Sequence, residues 1–201
     1  MLVAGIKSRP VYKGLTIEPH AKRHIFALEG EGATALTDQK PALDETILSR
    51  SEILYVACGS KGKGHDTALV ELGTDVFWTA PTIATLLFRL KGLLASAHMG
   101  IRLYIAGTEG FIGQAMTVGL EHGMDYASII TEHRGSLARR VQCVHCKGIT
   151  DDVTASPFTC SHCRLTLLVR DHYSRRLGAF QGVNIDAEEP GSAPDPEELF
   201  L

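Results

Sequence analysis

The sequence IRLYIAGTEGFIGQAMTVGL, residues 101–120, contains the change of pattern that decides the fold. Residues 101–106 are apolar except for Arg102 and predict a buried strand of a sheet. A glycine turn follows, and from Phe111 onward apolar side chains recur at intervals of three or four residues. That spacing places them on one face of a helix, so this stretch predicts a strand, a tight turn and a helix in succession.

The same alternation extends outward in both directions. Apolar runs at residues 53–58 and 67–72 predict two strands that precede this unit, and residues 126–131 predict a strand that follows it. Residues 79–81 read Thr-Ala-Pro, a helix-start signal, and the apolar residues of segment 83–97 then follow helical spacing. Strands that alternate with helices predict an α/β fold with a short, mostly parallel sheet and helical crossovers.

Composition excludes several classes of protein. The 201 residues are 44% hydrophobic and 21% charged, which is enough for a packed core and rules out global disorder. No apolar run reaches the roughly 20 residues that span a bilayer, and Lys7 and Arg9 interrupt the first apolar residues too early for a signal peptide. With 20 basic and 23 acidic residues the net charge is −3, so the whole chain has no bias toward nucleic acid. We therefore expect a cytoplasmic protein that binds neither membrane nor nucleic acid.

Changes in pattern divide the chain into four segments. Residues 1–50, with scattered prolines and glycines, predict an N-terminal arm with short strands, and residues 51–133 predict the α/β domain. Residues 134–183 contain a cluster of cysteines, and residues 184–201 carry six acids, three prolines and no basic residue. This last segment predicts a flexible acidic tail. Its end, Leu-Phe-Leu at residues 199–201, leaves open a second interpretation, in which it docks on a partner or on the chain's own surface.

Four of the five cysteines form two CxxC pairs separated by thirteen residues. Each pair places two thiolates on one tight turn, and two such turns complete a tetrahedral set of four sulfur ligands. The spacing predicts a C-terminal zinc-ribbon module whose metal stabilises a segment with few apolar residues. Protein would take all four coordination positions, so the metal is expected to be structural and to leave no position for water or substrate. The predicted ligands are Cys143, Cys146, Cys160 and Cys163.

The identity of the metal stays open at the level of sequence. A rubredoxin-like iron in the same four-sulfur geometry would make the chain an electron carrier, although Lys147 and Arg164 stand where a rubredoxin is expected to have glycine. His145 and His162 lie inside the two pairs but are expected to be exposed, because four thiols already complete the site. The fifth cysteine, Cys58, is expected to be a small buried hydrophobic residue.

Two glycine turns at strand ends are weak candidates for cofactor binding. Glycine lets the backbone approach a phosphate closely, which singles out Gly59 after the strand at 53–58, and Gly107 and Gly110 after the strand quoted first. The earlier turn, residues 58–64, adds two lysines but follows no phosphate-loop spacing. We expect both turns to be scaffold rather than cofactor sites, and no group of residues predicts a catalytic centre.

Segment 131–183 contains eight basic and four acidic residues, for a local charge of +4. Its adjacent Arg175 and Arg176, followed by Phe180, predict a surface that binds carboxylates of a partner protein. A nucleic-acid-binding zinc ribbon is the alternative interpretation. Aromatic residues for stacking are sparse, however, and the acidic tail would repel a phosphate backbone.

Several segments resemble known families. Residues 103–111, LYIAGTEGF, resemble the strand and Cys-Gly-Pro-x-Gly-Phe turn in the nicotinamide-binding half of ferredoxin reductase-type flavoenzymes, although the cysteine and proline of that family are absent here. Together with this turn, residues 8–12 (SRPVY), the paired CxxC motifs and residues 172–183 (HYSRRLGAFQGV) resemble the small (gamma, DmmA-type) subunits of bacterial dimethylamine monooxygenase. The second resemblance covers most of residues 6–185.

That second resemblance implies an accessory subunit in a multi-subunit oxygenase. In the family, a large subunit carries haem and the oxygen chemistry, while a reductase-type subunit carries FMN and a [2Fe–2S] cluster and takes electrons from NADPH. The complex converts dimethylamine, NADPH and oxygen to methylamine, formaldehyde and water. The resemblance therefore predicts a structural subunit of a hetero-oligomer, one that bridges or positions the catalytic and reductase subunits and holds no catalytic residue itself.

Overall fold

A computed structural model describes residues 8–59 and 63–201 and divides the chain into two compact units. One unit is Tyr12–Gly135, and the other is Ser136–Leu201 together with the described residues before Tyr12. The first unit holds a parallel sheet, and the second holds the four paired cysteines.

Parallel strands and short helices alternate along the first unit. The strands are β1 (Arg23–Glu29), β2 (Ser51–Val56), β3 (Val76–Ala80), β4 (Ile101–Gly107) and β5 (Ile129–His133). The helices are α1 (Gly32–Thr37), α2 (Glu45–Leu48), α3 (His65–Val70), α4 (Ile83–Ala95) and α5 (Glu109–Glu121). Two 3-10 turns, Lys40–Ala42 and Tyr126–Ser128, complete the described elements, and the second of them delays the start of β5 beyond the predicted residue 126.

The strand order is β3-β2-β1-β4-β5, and every pairing in this sheet is parallel. The chain therefore forms one half of the sheet from β1 through β2 to the edge strand β3. It then crosses back over the sheet, and β4 and β5 form the other half on the opposite side of β1. Helices α1, α2 and α3 cover one face of the sheet, and α4 and α5 cover the other. This arrangement confirms the predicted α/β fold with a parallel sheet and helical crossovers.

The central strand, β1, comes from the segment expected to be an N-terminal arm with short strands. Its side chains alternate between two cores: Ile25 and Ala27 face α4 and α5, whereas Phe26 and Leu28 face α1 and α3. Because β1 pairs with β2 on one side and β4 on the other, the sheet has no centre without it. The compact α/β unit thus begins near residue 12 and not at residue 51.

Residues 67–72, predicted to form a strand, fall largely within helix α3. The buried side chains there, Leu69 and Leu72, are three residues apart, which suits one face of a helical turn and not the alternation of a strand. Gly64, in the left-handed region with φ of 77°, precedes the helix, and Asp66 lies in its first turn. Local composition favoured a strand, whereas packing against the sheet selects the helix.

The strands described in the second unit are β6 (Arg139–Cys143), β7 (Ile149–Val153), β8 (Ala155–Ser156), β9 (Phe158–Thr159), β10 (Thr166–Ser174), β11 (Ala179–Asn184) and β12 (Glu197–Glu198). Five of them form a mixed sheet of order β7-β6-β11-β10-β9, in which the β6–β11 pairing is parallel and the others are antiparallel. Strands β8 and β12 form a separate antiparallel pair.

A small apolar core lies beside the cysteines in this unit. Its buried members are Val141, Val153, Val169, Tyr173 and Phe180. Five side chains are few for a module of this size, and small cores are commonly supplemented by a metal or by disulfides. The packing therefore supports the expectation that metal binding stabilises this module.

The chain's last residues dock on the second unit. Strand β12 pairs with β8, and the backbone N–H groups of Leu199 and Phe200 both donate to the Thr154 carbonyl at 2.9 Å. The guanidinium of Arg139 lies 4.0 Å from the centre of the Phe200 ring and 4.1 Å from the centre of the Phe180 ring. Residues 197–201 therefore differ from the expected flexible tail, because two aromatic rings and a buried cation hold the apolar end against the chain's own surface.

Removing the Phe200 ring tests this docked end. We expect Phe200→Ala to lower the free energy of unfolding of the second unit by about 1–2 kcal/mol, the value of a partly desolvated cation–π contact. Hydrogen exchange of the β8 and β6 amides measures the loss. Leu201→Ala, which changes a side chain that is 75% exposed, is the matched control and should leave exchange unchanged. Equal exchange in both variants would contradict the docking.

A buried histidine lies in the first unit, at the start of β1. His24 is fully buried, and its Nδ1 lies 3.1 Å from the Tyr104 hydroxyl, which also accepts the Glu18 backbone N–H. Its Nε2 has no hydrogen-bond partner among the described residues. Burial, helped by the positive charges of Arg50 and Arg102 and opposed by Glu18, lowers the pKa of His24 below its ordinary 6.5. Folding therefore favours the neutral form of this imidazole.

Acid should destabilise the first unit through His24. Above pH 6.5 both folded and unfolded chains hold the imidazole neutral, whereas below it the unfolded chain takes up a proton that the folded chain resists. Between pH 6.5 and the lowered pKa, the free energy of unfolding should fall by up to about 1.4 kcal/mol per pH unit. Fluorescence of the single tryptophan, Trp78 in β3, follows unfolding of this unit.

His24→Asn, which keeps a polar atom near the position of Nδ1, should flatten this part of the pH profile. His98→Asn removes an exposed imidazole of the same unit and should leave the slope as it is in the parent protein. An identical slope in His24→Asn and the parent would show that another group controls the acid sensitivity.

Candidate metal centre

The four predicted ligands meet at one point in the second unit. Their sulfur atoms all lie within 4.8 Å of one another. The Cys143–Cys163 and Cys146–Cys160 sulfur pairs are each 3.8 Å apart. A tetrahedral zinc with bonds of about 2.3 Å separates its sulfur ligands by about 3.8 Å. The donor set and its spacing therefore fit a four-coordinate metal ion of zinc size.

The two CxxC turns have the same backbone hydrogen bonds. In each, the first cysteine's N–H donates to the carbonyl five residues on, at 2.9 Å, and its carbonyl accepts from the N–H four residues on, at 3.0–3.1 Å. The residue after each pair, Lys147 or Arg164, is in the left-handed region with φ of 63° and 65°. Glycine favours this conformation, so both positions accept backbone strain to shape the turn. Lys147 and Arg164, which stand where a rubredoxin is expected to have glycine, therefore leave the turn geometry intact.

Electrostatics inside the cluster favours binding of a cation. Burial opposes ionisation of Cys160, but backbone N–H groups of Cys163 and His162 and the neighbouring sulfurs outweigh it and lower the pKa of Cys160 to about 6. The Leu165 amide lowers the pKa of Cys163, whereas burial and the other three sulfurs raise it further, to about 12. The Cys160 thiol thus loses its proton easily, whereas the Cys163 thiol keeps its proton because negative charge on the neighbouring sulfurs opposes its ionisation. A divalent cation removes that repulsion, because it neutralises the thiolates.

The four cysteines differ in burial, and together they form a complete set of four ligands. Cys143 and Cys160 are buried, and Cys163 is half-buried, whereas Cys146 is exposed. Because four thiolates fill a tetrahedral shell, such a metal has no position for water or substrate. A metal bound by all four thiolates would supply folding free energy to the module.

The two histidines of the CxxC turns lie outside the cluster of ligand atoms. His145 and His162 are both exposed, as expected. The Nε2 of His162 lies 2.8 Å from the Ile149 carbonyl, so this ring braces the turn that leads into β7. Cys58, expected to be buried, is exposed instead, with φ of 35°, because the chain turns away from the sheet directly after β2.

The glycine candidates for cofactor binding lie at the carboxyl ends of β2 and β4. Gly59 follows β2 with φ of 83° and open space around it, while residues 60–62 of the same turn lie outside the described residues. Gly107 ends β4 and Gly110 lies in the first turn of α5. Ligands of open α/β sheets bind where the strand order reverses, which here is the crevice between β1 and β4. Gly107 is thus at the expected crevice, and Gly59 lies away from it.

The chain's own side chains occupy hydrogen-bonding positions in this crevice. Glu29, almost fully buried at the end of β1, accepts from the backbone N–H of Thr108 at 2.8 Å and from its hydroxyl at 2.7 Å. A side chain at Gly107 would lie 2.8 Å from the Glu29 carboxylate. The carboxylate therefore takes the α5 N-terminal position that a phosphate would need, and it would repel one.

Further acidic groups and an extended segment line the same end of the sheet. The Tyr12 hydroxyl donates to Glu109 at 3.2 Å, and the Leu15 backbone N–H donates to Glu132 at 2.7 Å. Glu31 pairs with Lys63 at 2.5 Å, and the ammonium group lowers the pKa of Glu31. One of the two lysines expected near a phosphate is therefore paired with a carboxylate of the chain itself.

Sequence reasoning missed the turn that leads into this crevice. Gly30-Glu31-Gly32 follows β1 directly and begins α1. A Cβ atom at Gly32 would lie 2.1 Å from the carbonyl oxygen of Ala106, so only glycine allows α1 to approach β4 here. Two glycines separated by one residue follow an apolar run, and this pattern is a sequence signal for the turn. The sequence pattern did not indicate that the strand before them is the first strand of the sheet.

The three predicted partner residues fall in different environments. Arg175 and Arg176 are exposed in the turn between β10 and β11. Phe180 is only 1% exposed and packs edge-to-face against Tyr173, with ring centres 5.0 Å apart. Its ring is therefore part of the module core and not of a partner surface. Among the described residues, no helix is both long enough and apolar enough to cross a bilayer.

Fold and site together define a class of protein: an α/β unit whose crevice between β1 and β4 is lined by its own carboxylates, and a module built around four thiols. The chain belongs to the dimethylamine monooxygenase subunit DmmA-like family. The model of that family's N-terminal domain matches residues 4–129, and the model of its C-terminal domain matches residues 140–183. A relative from Ectopseudomonas mendocina (strain ymp) is 31% identical over 157 residues, which span 76% of this chain and 90% of that protein. It is named a haem-dependent oxidative N-demethylase delta subunit.

Solved structures give weaker likenesses. A type IV self-sufficient cytochrome P450 monooxygenase is 22% identical with a TM-score of 0.44, and the match spans 68% of this chain and 19% of that one. The FAD/NAD-binding domain of a nitric oxide dioxygenase from Vibrio cholerae is 18% identical with a TM-score of 0.40, over 63% of this chain and 56% of that one. Likenesses at this level say nothing about what the present chain binds.

Proposed function

We propose that this chain is a non-catalytic subunit of a haem-dependent oxidative N-demethylase. The observation that carries the proposal is the relative named as the delta subunit of such an enzyme, which is matched over 90% of its length. Membership of the DmmA-like family supports the same assignment, and its name supports dimethylamine as the substrate.

The role proposed for the chain is to bridge or position the catalytic and reductase subunits. Two features of the described residues support a role without chemistry of its own. The four-thiol cluster is a closed donor set with no position for a substrate. The crevice between β1 and β4 holds the Glu29–Thr108 hydrogen bonds where a nucleotide phosphate would bind. In this proposal, haem, FMN and the [2Fe–2S] cluster belong to partner subunits, and the hetero-oligomer works in the cytoplasm.

Zinc is the metal proposed for the four-cysteine centre, as part of a zinc-ribbon module. The sulfur spacing of 3.8 Å suits zinc–thiolate bonds, and thiolate iron is the alternative because it takes the same geometry. Metal analysis of the purified full-length chain should find one zinc per chain and no visible absorbance. A red chromophore with one iron per chain would overturn zinc and support the electron-carrier interpretation.

Reconstitution tests the proposed function. The purified haem-bearing and reductase subunits of the same organism are combined with and without this chain, and formaldehyde released from dimethylamine and NADPH is measured together with the mass of the complex. With the chain present, we expect a larger complex and a rate at least tenfold higher. Reduction of an artificial acceptor by the reductase subunit alone should not change, since its cofactors are untouched. Full formaldehyde release without the chain, or no binding to either subunit, would overturn the proposal.

A further inference from the structure

Helix α4 has a buried apolar face and an exposed face that carries an apolar stripe. Its inner face packs on the sheet through Leu86, Leu90 and Leu94, all buried. Its outer face carries an apolar stripe bordered by two cations, Arg89 and Lys91, and no acidic residue. The exposed positions of the stripe are Ala84, Phe88, Gly92 and Ala95.

The large side chains on and beside this face are strongly exposed. Phe88 is 80% exposed in the middle of α4, and Met99 is 93% exposed in the turn that leads to β4. A single exposed apolar residue is ordinary, but an aromatic ring exposed to this degree in the middle of an apolar helix stripe is typical of a protein interaction site. The sheet covers one face of α4, so we infer a second protein surface on the other.

The shape of the outer face suits one projecting anchor. Gly92 has no neighbouring atom within 4 Å of where a Cβ would stand, and Ala84 and Ala95 are small. The Phe88 ring therefore projects from a surface of small residues, and a partner's backbone can approach this surface closely. Aromatic anchors of this kind fill pockets at the centres of protein interfaces and carry much of their binding energy.

The charge around the anchor selects the chemistry of the partner. Helix α4 contains Arg89 and Lys91 and no acidic residue. Arg89 lies over the Trp78 ring, 5.4 Å from its centre, on one side of the apolar stripe, and Lys91 lies on the other side. Two copies of this face placed together would bring cations against cations, which disfavours a homodimer. A partner surface with carboxylates around an apolar pocket is complementary.

We propose that the outer face of α4 is the surface by which this chain docks on another subunit of the complex, with Phe88 inserted in an apolar pocket that has an acidic rim. This inference rests on the proposed function for the existence of the partner subunit. It adds the surface, the anchoring side chain and the chemistry of the complementary site.

Binding of the full-length, metal-loaded chain to the purified haem-bearing and reductase subunits, measured by calorimetry, tests the surface. Phe88→Ala should weaken binding about 30-fold, as expected for an aromatic anchor, and Phe88→Asp should abolish it. Lys91→Glu should weaken binding at least fivefold, and its affinity should depend less on salt than that of the parent. The matched control is Val70→Ala, which shortens an apolar side chain that is 55% exposed on α3 and should change binding less than twofold.

Trp78 fluorescence and the unfolding midpoint show that each variant is folded, so lost binding reports the surface itself. If the parent and Phe88→Asp bind a subunit equally well, docking through α4 is overturned while the proposed function stands. If the parent binds neither subunit, docking through α4 and the proposed function are both overturned. If sedimentation shows a parent dimer that Phe88→Asp converts to a monomer, the face pairs with a second copy and the acidic partner is overturned.

Discussion

Replacing Cys160 by serine is expected to unfold the four-cysteine module while the α/β unit stays folded. A structural zinc contributes roughly 10–16 kcal/mol of binding free energy that only the folded module can use. Native domains are stable by only about 5–15 kcal/mol in total. The module's small apolar core cannot replace a contribution of that size. Removal of the metal by a chelator should have the same effect as the substitution.

Two readouts separate the units. Amides of β6, β10 and β11 should lose their protection from hydrogen exchange in Cys160→Ser, whereas Trp78 fluorescence, which reports the α/β unit, should match the parent. Cys58→Ser is the matched control, because Cys58 is an exposed cysteine outside the cluster. Full protection of the module's strands in Cys160→Ser or in the chelated protein would show that its fold does not depend on the metal.

Substituting alanine for Gly32 should destabilise the α/β unit by about 3 kcal/mol or more, at or beyond the upper end of typical overpacking costs. The added Cβ would lie 2.1 Å from the carbonyl oxygen of Ala106 and 2.7 Å from the backbone nitrogen of Gly107. Both are backbone atoms of the sheet near the β1–β4 crevice, so neither can move aside as a flexible side chain could. Urea unfolding followed by Trp78 fluorescence measures the loss.

Gly92→Ala is the control of opposite sign. Gly92 lies inside α4 with no atom within 4 Å of the position of an added Cβ. Alanine there should stabilise the unit by roughly 0.5–1 kcal/mol, because it lowers the backbone entropy of the unfolded chain. A Gly32→Ala variant as stable as the parent would mean that α1 does not approach β4 as closely as described.

Local patterns were informative where one segment decides its own structure. The apolar run of β4 and the helical spacing of α5 predicted both elements, and the CxxC spacing predicted a cluster that the structure brings together. They were misleading at α3, where six residues are too few for periodicity to separate helix from strand. They predicted short strands in the segment that forms β1, but its short alternation gives no sign of a central place in the sheet.

Long-range contacts decide the rest of the candidate sites. The Glu29–Thr108 hydrogen bonds join residues 79 positions apart, so no local pattern indicates that a carboxylate occupies the β1–β4 crevice. The same is true of Arg139, whose place between the Phe180 and Phe200 rings links the module core to the docked end of the chain. Both are consequences of packing and not of spacing.

By itself the sequence determined the α/β pattern and indicated the cluster of four cysteines, because strand and helix periods and paired CxxC spacing act over a few residues. Only the tertiary structure decided that β1 lies at the centre of the sheet, that the crevice beside it holds Glu29, and that Phe180 is buried while Phe88 is exposed. Burial and close approach depend on which distant segments meet, and that is settled when the sheet and its helices pack together.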